Sequence, residues 1–191
     1  MDRREFLTRG WRRAADAAGS RRGRGWIRPP FALDEAAFLT KCTGCGDCVS
    51  ACPHDVIFPL TARAGLRAEG TPALDLLSRG CHLCEDWPCV TACAPGALQI
   101  AGDAEDTPPE PPRLASAEID TGACIAHQGP ECGACAHACP VPGALRWDGP
   151  KPVIDAGACT GCALCREACI VSPKAIRISE YREKEEARER A

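Results

Sequence analysis

Cys42-Thr-Gly-Cys45-Gly-Asp-Cys48-Val-Ser-Ala-Cys52-Pro53 decides how the rest of the chain is read. Three cysteines recur at every third position, and a fourth follows the third after three intervening residues and precedes a proline. Three related runs follow. The second is Cys81-x-x-Cys84-x-x-x-x-Cys89-x-x-x-Cys93. The third opens wider, with Cys124 well ahead of Cys132-x-x-Cys135-x-x-x-Cys139-Pro140. The fourth is Cys159-x-x-Cys162-x-x-Cys165-x-x-x-Cys169. All 16 cysteines of the 191-residue chain fall in these four runs.

Three chemistries compete for cysteine at this density. Disulfides need an oxidising compartment, and cysteines three apart in short loops pair poorly. Structural zinc favours CxxC pairs separated by longer loops. Iron–sulfur cubanes take three thiolates from a tight loop and a fourth from nearby, which is the pattern found here. All sixteen cysteines are therefore assigned as iron ligands of four [4Fe–4S] clusters. Aromatic residues are few (four Phe, four Trp, one Tyr), so small domains of this composition need such staples to be stable. Gly44, Gly46, Gly133 and Gly161 lie between ligands, where the backbone must turn tightly or come close to the inorganic sulfides.

Outward from the runs, short apolar stretches predict strands. Val56–Phe58, Ala97–Ile100, Ala144–Trp147 and Ala175–Ile178 follow the four runs in turn. Ala117–Asp120 and Pro152–Asp155 precede the third and fourth. The order strand, ligand loop, short helix, strand predicts an α+β fold. It consists of two tandem two-cluster modules of bacterial-ferredoxin type, with little regular structure outside them. The expected divisions are a disordered basic arm at 1–31, a module at 32–101, a Pro-rich linker at 102–113, a second module at 114–179 and a charged helix or tail at 180–191. In two-cluster ferredoxins the fourth cysteine of a run ligates the neighbouring cube. That rule groups Cys42, Cys45, Cys48 with Cys93; Cys81, Cys84, Cys89 with Cys52; Cys124, Cys132, Cys135 with Cys169; and Cys159, Cys162, Cys165 with Cys139. The alternative, each run closing its own cube, uses the same sixteen residues.

The net charge of −3 gives no global basic field for nucleic acid. No stretch of about 18 apolar residues exists to span a membrane. Residues 1–28 carry nine arginines and three acids. Arg3-Arg4-Glu5-Phe6-Leu7 has the core of a twin-arginine export signal, but the stretch after it is basic and contains no apolar region. Export to the periplasm is therefore disfavoured, and a cytoplasmic location is expected. His54, His82, His127 and His137 lie in or beside the ligand loops, but no cysteine is missing for them to replace. Trp87 and Trp147 fit either of two roles, shielding a cube from water or ordinary core. No nucleophile–base set, phosphate loop or paired carboxylates stand out, so the chain is read as an electron carrier or accessory protein, not an enzyme.

Arg3-Arg4-x-Phe6-Leu7, Arg28-Pro-Pro-Phe-Ala-Leu33 and Phe38-Leu-x-x-Cys42-Thr-x-Cys45-Gly-Asp-Cys48-Val49, with Cys124-Ile-Ala and Cys159-Thr-Gly-Cys162, resemble the NapF-type ferredoxins. These are accessory iron–sulfur proteins of the periplasmic nitrate reductase system. The resemblance implies a cytoplasmic [4Fe–4S] protein that contacts the molybdenum-containing nitrate reductase catalytic subunit before export. It would assist that subunit's maturation, with electron delivery as the means and a redox donor protein as a second partner. The second run departs from this pattern. Its four residues between Cys84 and Cys89 look like NapG and MauM, related electron-transfer ferredoxins that take electrons from a quinol or dehydrogenase to a terminal reductase. Cys93 and Cys169 also lack the usual following proline.

Overall fold

The computed structural model describes residues 26–100 and 109–181. Most of the basic arm, the acidic part of the linker and the charged tail from 182 onward lie outside the described residues. The chain's many glycines, prolines and cysteines break it into short pieces. Five α-helices are described: α1 (Glu35–Lys41), α2 (Asp47–Ser50), α3 (Pro88–Thr91), α4 (Ile125–Gln128) and α5 (Leu164–Ala168). Six strands accompany them: β1 (Ile57–Pro59), β2 (Pro72–Leu74), β3 (Ala115–Ile119), β4 (Leu145–Asp148), β5 (Lys151–Ile154) and β6 (Ile176–Glu180). They pair as three two-stranded antiparallel ladders, β1–β2, β3–β6 and β4–β5.

The two halves repeat one plan. In the second half, β3 and β6 bring its beginning and end together over five residue pairs, from Ala115↔Glu180 to Ile119↔Ile176. Inside that frame, β4 and β5 form a hairpin closed by Gly149-Pro150, with Gly149 at φ +56° as the first central residue. The first half has the inner pair, β1–β2, but its outer ladder shrinks to one bridge, Ala32↔Leu98. The stretch Ala97–Ile100 expected as a strand is therefore not one. Pro29 and Pro30 cannot donate to a ladder, and Phe31 at φ +57° bends the chain out of extended geometry. β2 is not marked in the sequence, because Pro-Ala-Leu carries no alternation. Glu180 ends a strand and is not part of the charged helix or tail expected from that residue.

The expected boundary of the arm at residue 31 also moves. Ile27 accepts a hydrogen bond from the Leu74 amide at 2.8 Å, and Pro29 and Pro30 are fully buried. Arg28 is a buried clamp. Its guanidinium donates to Glu35 through Nε and Nη2, and to Thr71 Oγ1 and the Pro72 carbonyl through Nη1. It also lies 4.5 Å from the centre of the fully buried Phe38 ring. These bonds tie the entering chain to α1 and β2. Replacing Arg28 with alanine is expected to cost about 2–3 kcal/mol, since buried hydrogen bonds to a charged group are lost together with the stacking. Denaturant unfolding of the cluster-loaded protein would measure it.

The apolar interior does not divide at the linker. One cluster of buried side chains joins Phe38, Val56, Ile57, Leu74, Leu76 and Leu98 of the first half to Ala115 and Ala163 of the second. A smaller cluster around Ala117, Cys165 and Ile176 holds the far end of the second half. Among the described residues no helix is long and apolar enough to cross a membrane.

Candidate metal centres

The loops carrying the cysteines are shaped by left-handed residues at repeating places. Two residues after the first cysteine stand Gly44 (φ +67°), Leu83 (+51°) and Gly161 (+71°). Two residues before the third stand Gly46 (+83°), Trp87 (+43°) and Ala163 (+68°), each capping the short helix that follows. The loop thus wraps inward on both sides of its middle cysteine. The second run obeys the rule with leucine and tryptophan, which hides the geometry from a search for glycine. The third run does not share it: Gly133 is not left-handed, and a Cβ added there would meet nothing within 4 Å. Its first cysteine is instead displaced onto the cap of α4.

Three of the loops each line a small cavity together with one cysteine from another run. Cys42, Cys45, Cys48 and Cys93 surround the first. Cys52, Cys81, Cys84 and Cys89 surround the second. Cys124, Cys132, Cys135 and Cys169 surround the third. Cys139 is near enough to Cys159, Cys162 and Cys165 for their charges to interact, which makes it the fourth member of that set. These are the four groupings that the ferredoxin exchange rule gives. The largest open groove, bordered by Trp26, Phe58 and Leu66, contains no cysteine and lies apart from this chemistry.

The donor chemistry fits a cationic cluster. Burial pushes the thiols of Cys48 and Cys81 up to about 11, and those of Cys89 and Cys165 up to about 12. Neighbouring sulfurs add to the rise: for Cys48 they are Cys93, Cys42 and Cys45. Thiols raised this far become thiolates at neutral pH only when iron supplies the compensating charge, so cluster binding and folding are coupled. A single zinc ion would draw its sulfurs to within about 4 Å of one another. Among the described residues, no three cysteine, histidine or carboxylate groups converge that way. All sixteen cysteines are free of disulfides.

Donors aimed at sulfur complete the fit. The Leu98 amide donates to Cys93 Sγ and the Gly161 amide to Cys159 Sγ, each at 3.3 Å. Thr160 Oγ1 is a buried polar atom that finds no partner among the described residues. It lies near Cys162 and favours the charged form of that sulfur. A Thr160→Val variant is expected to retain its iron but to lower the reduction potential of one cluster, because a donor to the reduced, more negative sulfur is lost. A potentiometric titration followed by EPR would detect the shift.

The other residues singled out from sequence fall in different places. His54 and His82 stack face to face at 3.5 Å beside the second set, and burial, then His54, holds His82 below its usual range. His127 contacts the Pro152 carbonyl at 3.0 Å, and His137 is exposed. Trp87 is 5% exposed, lines the second cavity and packs edge-on to Phe31. Trp147 is exposed on β4, so neither role foreseen for it holds.

Loops of this shape, gathering cysteines by fours around small apolar cavities, define a ferredoxin of the [4Fe–4S] kind. Residues 41–97 match the family described as a 4Fe-4S dicluster domain. The chain is 35% identical to the ferredoxin-type protein NapG of Haemophilus influenzae, over 80% of this chain and 58% of that protein, so it spans well under two thirds of that relative. It is 33% identical to the methylamine utilization ferredoxin-type protein MauM of Methylobacillus flagellatus, over 80% of this chain and 67% of that protein. It is 30% identical to the ferredoxin-type protein NapF of Escherichia coli, over 89% of this chain and 90% of that protein. The chain belongs to the family of 4Fe–4S ferredoxin-type proteins that contains NapG, MauM and NapF.

Proposed function

We propose that this chain is an electron carrier with four [4Fe–4S] clusters, held by the sixteen cysteines in the groupings described above. Bound clusters supply one-electron redox chemistry; the chain fixes their spacing, excludes water and directs amide and hydroxyl donors at their sulfurs. The observation that carries this reading is the gathering of four cysteines at each of four places. Anaerobic iron and sulfide analysis tests it. About sixteen irons per chain are expected, and about eight or twelve would remove one or more sets.

In the cell, we assign it to the cytoplasm as an accessory protein for maturation of the molybdenum-containing catalytic subunit of a periplasmic nitrate reductase, to which it delivers electrons. Its near full-length correspondence to NapF supports this reading. A second reading, a NapG- or MauM-like subunit carrying electrons from a quinol or dehydrogenase to a terminal reductase, is favoured by the Cys84-x-x-x-x-Cys89 spacing and the somewhat higher identities to those proteins. The two separate by affinity capture. Retention of the unexported catalytic subunit supports the accessory role. No retention, together with rapid reduction by a quinol dehydrogenase, supports the second.

A further inference from the structure

The halves meet where two cysteine loops lie against each other. The Cys81 amide of the second set donates to the carbonyl of Cys162 in the fourth, at 2.8 Å. Beside it, the Gly80 amide donates to Glu167 Oε2 at 2.7 Å, and Arg166 Nε donates to the Leu77 carbonyl at 3.0 Å. The approach is close enough to exclude a side chain: a Cβ on Gly80 would stand 2.8 Å from Leu164 Cα. Cys162 and Ala163 are buried in the same apolar cluster as Cys48, Cys81 and Cys89.

Contacts within each half continue the series. In the first, Cys48 of the first set and Cys89 of the second are near enough for their charges to interact, and α2 packs against α3. In the second, Cys165 and Cys159 of the fourth set share an apolar cluster with Cys135 of the third. Exposure follows the same order. The second and fourth sets each hold two buried cysteines, Cys81 and Cys89, and Cys162 and Cys165. The first and third sets hold one each, Cys48 and Cys169; the first also carries the exposed Cys45, and beside Cys169 the side chain of Ile170 is 70% exposed.

We propose that Gly80–Cys81 laid against Cys162–Leu164 is the electron-transfer junction between the halves, so that the sets follow one another in the order first, second, fourth, third. The proposal rests on the four-cluster reading. The outer sets face the surface, one toward a one-electron reductant protein and the other toward a one-electron acceptor. Each transfer between adjacent sets moves one electron, with no bond made or broken. The conduit therefore does not follow the order of the runs in the sequence, and the linker is not its path.

The test compares the full-length, cluster-loaded protein with its Gly80→Leu variant by EPR after full reduction. Magnetic interaction between the halves is expected in the parent. In the variant it should be lost, leaving two separately interacting pairs with iron content and total spin unchanged. An unchanged interaction spectrum would overturn the junction. Should the variant lose iron, amide hydrogen exchange on the loaded parent decides. Gly80 and Cys81 amides are expected to exchange at least about a hundredfold more slowly than those of the exposed Leu66–Arg67 segment. Equal rates would overturn the proposal. A shortfall of iron in the parent itself would instead count against the four-cluster reading, which the exchange measurement does not address.

Discussion

Cys93→Ala protein, prepared anaerobically, is expected to lose the cluster of the first run and to keep that of its own. Iron should fall from about sixteen toward about twelve per chain. Cys42, Cys45 and Cys48 should become open to alkylation, whereas Cys81, Cys84 and Cys89 stay protected. The reason is geometric: α3 carries Cys93 away from its own loop and to the first cavity, where the Leu98 amide meets its sulfur. Cys52→Ala should give the converse, exposing Cys81, Cys84 and Cys89 and sparing the rest of the first run. Peptide mapping of the alkylated thiols reads both results directly. Alkylation of Cys81, Cys84 and Cys89 in the Cys93 variant would mean that each run closes its own cube.

Gly161→Ala is expected to disrupt the second half. Gly161 sits at φ +71°, and a Cβ there would lie 2.7 Å from Ala115 Cα and closer still to the Ala115 carbonyl. β3 begins at that residue, and the amides of Leu114 and Ala115 both donate to the Thr160 carbonyl. Relief would require the first strand of the half to move off the loop of the fourth set. The left-handed backbone costs an alanine about 1–2 kcal/mol, and overpacking against backbone adds about 1–3 more. The sum is a large share of the stability of a small domain. A lowered unfolding midpoint with loss of iron from the third and fourth sets would be the outcome. Gly46→Ala is the comparison: the same backbone sign without a clash, since nothing lies within 4 Å, and a correspondingly smaller loss.

The Cys93 and Gly161 substitutions separate what can be read from the chain from what cannot. Cys42 through Cys52 announce their chemistry because a cube must be met by thiolates on a short loop, and the loop is local in sequence. Most strands are legible near their true places for the same reason, since apolar stretches flank each run. Ala97–Ile100 misleads, because its apolar residues serve burial against α1 while Pro29, Pro30 and Phe31 deny it a partner strand. The second run's left-handed Leu83 and Trp87 are invisible, because nothing in those residue types announces positive φ. Trp147 misleads in the other direction, since an aromatic on a two-stranded hairpin has too little sheet to cover it.

Spacing along a few residues is enough to set the kind of metal chemistry, the sixteen candidate ligands and the twofold repeat, and all of these stand in the sequence. How the repeats meet is settled in the folded chain. Gly80 and Gly161 look like ordinary loop glycines until Leu164 and Ala115 are seen pressed against them. Cys81 and Cys162 lie eighty-one positions apart, and no local pattern marks that one amide will donate to the other's carbonyl. Ligand loops are fixed by short-range geometry, whereas the order of the sets follows from how two buried surfaces fit, and that fit arises only when distant segments pack.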